Sequence, residues 1–406
     1  MNMMMKGILD GVKVLGIEQQ IAGPSCTMLL ADFGAEVIKM ERPVYGDASR
    51  EMAPILKNEE GEKESGYFAR FNRGKKSITL NVQDVEAQEV LWKLIEEADI
   101  VIENLKPGLM DKLGFTWEKI HEIKPELVYV AISGFGRSKK YEGQYSKRLA
   151  YDIIAQAMSG QMQACGSDPD GPPTWLGFAL GDVGTGLYAT IAALSGYIDR
   201  LKTGVGDYYD VAMYDCMMAI AERTHNIYQF TGAVTGRGPD KLIAPWGPFK
   251  CADGYVALMV PTEAMWKKFC NGIDHPELLE DPELQSGPGR AKNLKDKLMP
   301  IIVNWLSDKT KDEACDLLMA QGLPCAPIMT SEDCAKDSHT ASRKMLVDVP
   351  DAVLGKVHIV GNPIKMESRE VEYRMIPRLG ADTDEILGKL GYTEEQIMEL
   401  REKGSI

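Results

Sequence analysis

The chain has 406 residues, a formal net charge of −14, and a composition that is 44% hydrophobic and 26% charged. This composition is typical of a globular protein with a large buried interior, and the length favours two domains. The acidic balance argues against nucleic acid as a partner, although a local basic pocket can still bind an anionic ligand. Since no segment is typical of a membrane span or a secretory signal, we expect no membrane association and a cytoplasmic protein.

Several common site motifs are incomplete in this sequence. RGKKS at 73–77 lacks the first glycine and the Ser or Thr of a phosphate-binding loop, and GFG at 134–136 does not complete a dinucleotide fingerprint. There is no Gly-x-Ser-x-Gly elbow. The eight cysteines form no Cys-x-x-Cys pair and no Cys/His cluster, so we expect reduced thiols and no metal site.

The first third of the chain alternates strand-like and helix-like segments. The predicted strands are VKVLGI from Val12, AEVIKME from Ala35, SITLNV from Ser77, DIVIENL from Asp99 and LVYVAISGF from Leu127. Strands that alternate with helices predict a parallel sheet with helices on its faces. Ligands of such sheets bind beyond the carboxyl ends of the strands.

The later segments change in character. Residues 151–202 are mostly helical in pattern, and GDYYDVAMYD from Gly206 predicts a further strand. WGPFKCADGYVALMV predicts a small antiparallel hairpin, amphipathic helices follow it, and the tail returns to a strand and a charged helix. We therefore predict a large α/β domain whose first part is 1–223, a smaller α+β domain at 224–334, and a return segment at 335–406 that completes the large domain.

The segment 148–186 holds the most informative acidic residue. Asp182 lies between Gly181 and the Gly184–Thr185–Gly186 turn, where little side-chain bulk would keep a large acyl group from its carboxylate. A half-buried carboxylate is costly unless it is hydrogen-bonded or used in catalysis. Two interpretations stay open from these residues: Asp182 is a nucleophile, or it caps the helix that follows.

Cationic residues recur near the predicted strand ends and loops. Besides the 73–77 run, they are Arg42, Lys106, Lys112, Arg137, Lys139, Lys140 and Arg148. They form an anion pocket if several converge, and solvated charges if they do not.

A series of segments resembles the class III (CaiB/BaiF-type) coenzyme A transferases over nearly the whole chain. In order, they are LDGVKVLGIEQQIAGPSCTMLLADFGAEVIKMERP, GYFARFNRGKKSITLNV, ADIVIENLKPGLMDKLGFTWEKI, AYDIIAQAMSGQMQACG, ALGDVGTG, CADGYVALMV, GLPCAPIM and LGADTDEILGKLGYTEEQI.

The resemblance implies a Rossmann-like sheet and an interlocked homodimer, in which each chain passes through the ring of the other. It also implies that Asp182 is the covalent nucleophile of a ping-pong reaction between an acyl-CoA donor and a free carboxylic acid. An aspartyl-acyl anhydride and an aspartyl-CoA thioester are the expected intermediates. CoA is then a substrate, with no permanently bound cofactor.

The resemblance also assigns residues to CoA. Ile21 and Ala22 would lie beside the pantetheine arm, Asn104 and Leu105 would position the cofactor, and Tyr151 would neighbour Asp182. Arg42 would face the adenosine end, and the residues expected at the nucleotide phosphates are Lys75 or Lys76, and Lys112.

Three departures from related enzymes bear on the reaction. Ile21 stands where formyl-CoA:oxalate transferases have Gln, and GPDKLIAPWGPF contains no tetraglycine loop, so oxalate and formate are disfavoured as substrates. Tyr151 precedes Asp152 where α-methylacyl-CoA racemases have a His–Asp pair, so the imidazole of a proton shuttle is missing and a transferase is favoured. The alternatives are a racemase or epimerase and a non-catalytic CoA-binding protein.

Overall fold

A computed structural model describes residues 7–406 of the chain. Its strands are β1 Lys13–Ile17, β2 Glu36–Glu41, β3 Ile55–Lys57, β4 Lys63–Ser65, β5 Lys75–Thr79, β6 Ile100–Glu103, β7 Val128–Ser133, β8 Tyr208–Ala212, β9 Trp246–Lys250, β10 Tyr255–Met259, β11 Cys325–Pro327, β12 Leu346–Asp351 and β13 Gly355–Val360.

The helices lie between these strands and at the end of the chain. They are α1 Ala22–Asp32, α2 Gly66–Asn72, α3 Val85–Glu97, α4 Leu109–Lys112, α5 Trp117–Ile123, α6 Asp152–Met158, α7 Gln161–Ala164, α8 Leu180–Thr203, α9 Met213–Ile220, α10 Thr224–Thr231, α11 Glu263–Gly272, α12 Gly287–Lys292, α13 Met299–Leu306, α14 Lys311–Ala320, α15 Ser331–Lys336, α16 Ser338–Ser342, α17 Thr383–Lys389 and α18 Glu394–Glu402. Among the described residues, no helix is both long enough and apolar enough to cross a membrane.

Six parallel strands form the main sheet, in the order β5-β2-β1-β6-β7-β8. If these six strands are renumbered along the chain, their order in the sheet is 3-2-1-4-5-6. In this doubly wound arrangement, successive strands are added toward one edge up to the third strand and toward the other edge from the fourth. The reversal opens a crevice at the carboxyl ends of β1 and β6. The predicted α/β class with a parallel sheet is confirmed.

The two faces of this sheet bury separate apolar clusters because successive side chains of a strand point to opposite sides. Along β7, Val128, Val130 and Ile132 pack with residues of α1, α8 and α9. Tyr129 and Ala131 face the other side, where α3, α5, α17 and α18 cover the sheet. Burial on both faces explains why these strands are continuous apolar runs.

The chain forms two compact units. The first comprises residues 7–162, Trp175–Val234 and Ser342–Ile406, and the second comprises Gln163–Thr174 and Thr235–Ala341. The second unit therefore runs from Thr235 to Ala341 rather than from 224 to 334, and it also includes Gln163–Thr174 from within the predicted first part. The division at 1–223, 224–334 and 335–406 stays a prediction.

The second unit is built on a small antiparallel sheet, in the order β11-β10-β9. β9 and β10 form the predicted hairpin. One face of the sheet packs against helices around Trp266, Phe269, Leu298 and Leu318.

Candidate active site

The side-chain amide of Asn104, the residue that follows β6, fixes the loop after β1 at the crevice. The backbone N–H of Gln19 donates to Asn104 Oδ1 at 2.8 Å, and Asn104 Nδ2 donates to the Gln19 carbonyl at 2.8 Å. This pair of bonds joins the strands on either side of the chain reversal. It brings Ile21, Ala22, Asn104 and Leu105 to one edge, which is where doubly wound sheets bind ligands.

Helix α8 reaches the same edge because it packs closely on α1. A Cβ added at Gly186 would lie 1.9 Å from Ser25 Oγ and 2.8 Å from the Ala22 carbonyl oxygen. Only glycine permits this approach of the two helices. It holds the first turns of α8 beside the amino-terminal turn of α1.

Asp182 is the third residue of α8, not its cap. The N-cap position belongs to Ala179, and no side chain caps this end of the helix. The Asp182 carboxylate is half-buried and makes no hydrogen bond with any residue between 7 and 406. The capping interpretation is therefore wrong, because a capping side chain must accept a backbone N–H bond.

Asp152, in the first turn of α6, anchors the start of α8. Its buried carboxylate accepts bonds from the Gly181 N–H at 2.7 Å, from Trp175 Nε1 at 2.8 Å and from Gln156 Nε2 at 2.9 Å. Hydrogen bonds to an ionised group are stronger than neutral ones, so this arrangement fixes the residue directly before Asp182. No sequence motif indicates this role, since 29 residues separate Asp152 from Gly181.

The same environment changes the acidity of Asp182. Burial, and then the negative charge of Asp152, raise the pKa of Asp182 from 3.8 to about 7. A carboxylate that is more basic is also a stronger nucleophile toward an acyl carbon. The raised pKa means that this carboxyl group is ionised above the middle of the neutral range and protonated in acid.

Lys75 does not serve the predicted phosphate contact. Its buried ammonium donates to Asn72 Oδ1 at 2.8 Å, to Glu18 Oε1 at 3.1 Å and to the Pro24 carbonyl at 3.1 Å. All three protons are used inside the protein, and the charge neutralises a buried carboxylate. The prediction for Lys75 is therefore corrected: its role is structural.

Lys76 is also paired. Its Nζ contacts Glu36 at 3.2 Å and Glu385 at 2.8 Å. Glu36 is the first residue of β2, so Lys76 lies toward the amino ends of the strands, at the edge opposite the crevice. We correct this phosphate prediction too, because a cation held there by two carboxylates is not free to bind an anion at the other edge.

Other predicted cations separate into paired and unpaired groups. Arg137 binds Glu103 at 2.6 Å, and Lys139 binds Glu118 at 2.7 Å. A second group of cations lies exposed near the carboxyl ends of the strands and forms neither a hydrogen bond nor an ion pair within the described part of the chain. Its members are Arg42, Lys106, Lys112, Lys140 and Arg148. These, rather than the 73–77 run, can meet an anionic ligand.

Tyr151 immediately precedes the anchor. It is the N-cap of α6, and 71% of its surface is exposed. Its backbone is fixed through Asp152 to the start of α8, so it lies in the neighbourhood of Asp182. The ring itself is free to contact a ligand.

The profile of CoA-transferase family III matches residues 9–383. The chain belongs to this family. The protein is thus a CoA-transferase, an enzyme class whose substrates are CoA thioesters.

Curated relatives of this CoA-transferase cover nearly all of its length. A succinyl-CoA:mesaconate CoA-transferase from Haloarcula hispanica is 36% identical over 368 residues, which are 89% of this chain and 90% of the relative. A formyl-CoA:oxalate CoA-transferase from Streptomyces coelicolor is 34% identical over 423 aligned positions, covering 98% of this chain and 99% of the relative.

A solved structure agrees with the fold of the CoA-transferase. The crystal structure of a CaiB/BaiF family protein from Brucella suis superposes with a TM-score of 0.84 at 32% identity, covering 95% of this chain and all of the other. The resemblance identified from the sequence motifs is confirmed.

Proposed function

We propose that this CoA-transferase moves CoA from an acyl-CoA donor to a free carboxylic acid by covalent catalysis at Asp182. One observation carries the proposal: a half-buried carboxylate without a hydrogen-bond partner among residues 7–406 lies at the crevice of the sheet, and its pKa is raised to about 7. Such a carboxylate is costly to keep, and nucleophilic use accounts for it.

The first half of the reaction loads CoA onto the enzyme. An Asp182 oxygen attacks the thioester carbon of the donor, the C–S bond breaks, and a mixed anhydride and CoA thiolate form. The thiolate then attacks the Asp182 carboxyl carbon. The donor acid leaves as its carboxylate, and an aspartyl-CoA thioester remains.

The second half repeats these steps in reverse. The acceptor carboxylate attacks the aspartyl-CoA thioester, which releases the thiolate and forms a new anhydride. The thiolate attacks the acceptor's acyl carbon to give the product thioester and free Asp182. One thioester replaces another and no net proton is consumed, so the reaction needs no ATP.

We assign the CoA contacts to residues at the carboxyl edge. Ile21, Ala22, Asn104, Leu105 and Tyr151 would flank the pantetheine arm. Arg42 and Lys112, with Lys106, would bind the adenosine phosphates, because exposed cations without carboxylate partners lose no existing ion pair when they bind an anion.

The acid substrates are proposed as a class. The relatives' names point to small acids such as succinate, mesaconate and oxalate. Ile21 replaces a polar Gln contact of formyl-CoA:oxalate transferases, so we expect this chain to prefer acids other than oxalate and formate.

The decisive experiment combines substitution with trapping. Acyl-CoA donors are screened by mass spectrometry against a panel of free acids, and hydroxylamine is added during turnover. We expect a hydroxamate at Asp182, and loss of exchange in Asp182→Ala but not in Asp199→Ala, an exposed aspartate of the same helix.

Other results would support the rival functions. Exchange that survives in Asp182→Ala would refute the proposed nucleophile. Deuterium entry at the α-carbon of a branched acyl-CoA, without acid exchange, would identify a racemase or epimerase. CoA binding without either reaction would identify a non-catalytic CoA-binding protein.

We also propose the interlocked homodimer, together with the predicted domain division and a cytoplasmic location. The outer face of α8 supports self-association, since Leu187, Ile191, Ile198 and Leu201 are exposed at spacings of four, seven and three residues. Ile191→Asp should reduce the dimer measured by light scattering. Two differently tagged dimers should not exchange subunits without denaturant, and rapid exchange would refute the interlocking.

A further inference from the structure

The loop that carries Ile21 has an unusual backbone at Gln20. Gln20 has φ of +67°, in the left-handed region that residues with a Cβ disfavour. A residue keeps such a conformation only where the surrounding structure holds it. Asn104 fixes the peptide groups of Gln19 on one side, and α1 begins at Ala22 on the other.

Asp47 holds Gln20 itself. The Gln20 N–H donates to Asp47 Oδ1 at 3.0 Å and to Oδ2 at 3.2 Å, and the same carboxylate accepts the Ser49 N–H at 2.8 Å. Asp47 is 3% exposed, so water does not compete for these bonds. Although burial acts in the opposite sense, Lys39 and these bonds hold the pKa of Asp47 below its ordinary value.

A buried network of ion pairs holds Asp47 in turn. Lys39 Nζ donates to Asp47 Oδ2 at 2.8 Å, to Glu18 Oε2 at 2.8 Å and to the Glu18 carbonyl at 2.9 Å. The Asp47 N–H donates to Glu41 Oε2 at 2.9 Å, and Arg50 pairs with Glu41 at 2.7 Å. The network thus runs directly beneath the loop and contacts its backbone at Glu18 and Gln20.

We propose that Asp47 is a positioning residue for CoA: it holds Gln20 in the left-handed conformation and thereby fixes the chain at Ile21 and Ala22, which are 6% and 2% exposed, at the crevice edge beside the proposed pantetheine arm. This inference rests on the proposed function, because it takes CoA as the ligand of that loop. Asp47 acts through the backbone and touches no substrate. Without it, Gln20 relaxes toward negative φ, and the residues after it leave the crevice edge.

The first test measures CoA affinity by titration calorimetry. Asp47→Ala should weaken CoA binding about tenfold, the effect of losing a hydrogen bond to a charged acceptor. Asp47→Asn, which keeps Oδ1 as an acceptor, should fold even if the alanine variant does not, and should lose less affinity. In turnover assays the KM for acyl-CoA should rise while the KM for the acid acceptor stays the same.

A rescue separates positioning from general stability. In the Asp47→Ala or Asp47→Asn background, Gln20→Gly should recover about fivefold in affinity, because glycine adopts positive φ without the penalty of a Cβ. Asp32→Asn is the matched control: it removes the negative charge from a buried pair with Arg73 in the same unit, at the opposite end of α1 from this loop, and should leave CoA affinity unchanged.

The outcomes are distinguishable. If Asp47→Ala and Asp47→Asn bind CoA as the wild type does, or if Asp32→Asn weakens binding equally and glycine restores nothing, Asp47 is not a positioning residue. If the wild type itself binds no CoA, the proposed function fails. Hydrogen exchange of residues 19–22 in the unliganded protein still tests whether Asp47 holds Gln20 in place. We expect the backbone amides of these residues to be protected in the wild type and to lose that protection in Asp47→Ala.

Discussion

Replacing Asp182 with asparagine should stabilise the protein at alkaline pH while it abolishes catalysis. The folded protein binds the Asp182 proton more tightly than the unfolded chain does, because the pKa rises from 3.8 to about 7 on folding. Folding stability from this group is therefore fully present below pH 4 and is lost as pH rises through about 7. The side-chain amide of asparagine carries no charge, so it avoids this loss.

The magnitude follows from the same shift in pKa. The rise from 3.8 to about 7 corresponds to about 4 kcal/mol at full burial. Solvent screens a half-buried carboxylate, so we expect about 2 kcal/mol in the free energy of unfolding at pH 8. This is the cost of keeping the proposed nucleophile desolvated, and it is typical of the trade between stability and activity.

Urea unfolding of the wild type and Asp182→Asn, at intervals from pH 4.5 to pH 8.5, measures the effect. The stability difference should grow with pH and level off above about 7. Asp199→Asn, on the exposed part of α8, should show no such rise. A difference that is constant with pH, or a variant less stable than the wild type at pH 8, would show that ionisation of Asp182 does not destabilise the folded protein.

Three further substitutions test the site. Asp152→Asn should lower the pKa of Asp182, so the acid limb of the kcat/KM profile should shift to lower pH and the alkaline plateau should fall. An unshifted acid limb would exclude an effect of the Asp152 charge on Asp182. Gly186→Ala should reduce the free energy of unfolding by about 2 kcal/mol or more and reduce activity, because its Cβ would overlap α1; normal stability in urea would contradict that packing. Lys112→Ala should raise the Kd for CoA about threefold to tenfold and weaken its salt dependence, and an unchanged titration would remove Lys112 from the phosphate site.

The fold was predictable because its information is local. Strands buried on both faces are apolar runs, which a short window of the sequence shows. In β7, for example, the consecutive residues Val128 and Tyr129 are both apolar because they contribute to opposite cores. The motif series also identified the family and selected Asp182 before any geometry was known. The capping interpretation stayed open because spacing near a helix start cannot separate its third residue from its cap.

The partner of each charged side chain is determined by the tertiary structure. The family resemblance predicts Lys75 or Lys76 as a phosphate ligand, yet Lys75 binds Glu18, 57 residues away, inside the first unit. Asp152 and Asp47 act through backbone bonds to Gly181 and Gln20, contacts that no local pattern encodes. Residue type determines which interactions a side chain can make, but only the packed chain decides which partner lies within 3 Å, and burial then determines how strongly the two interact.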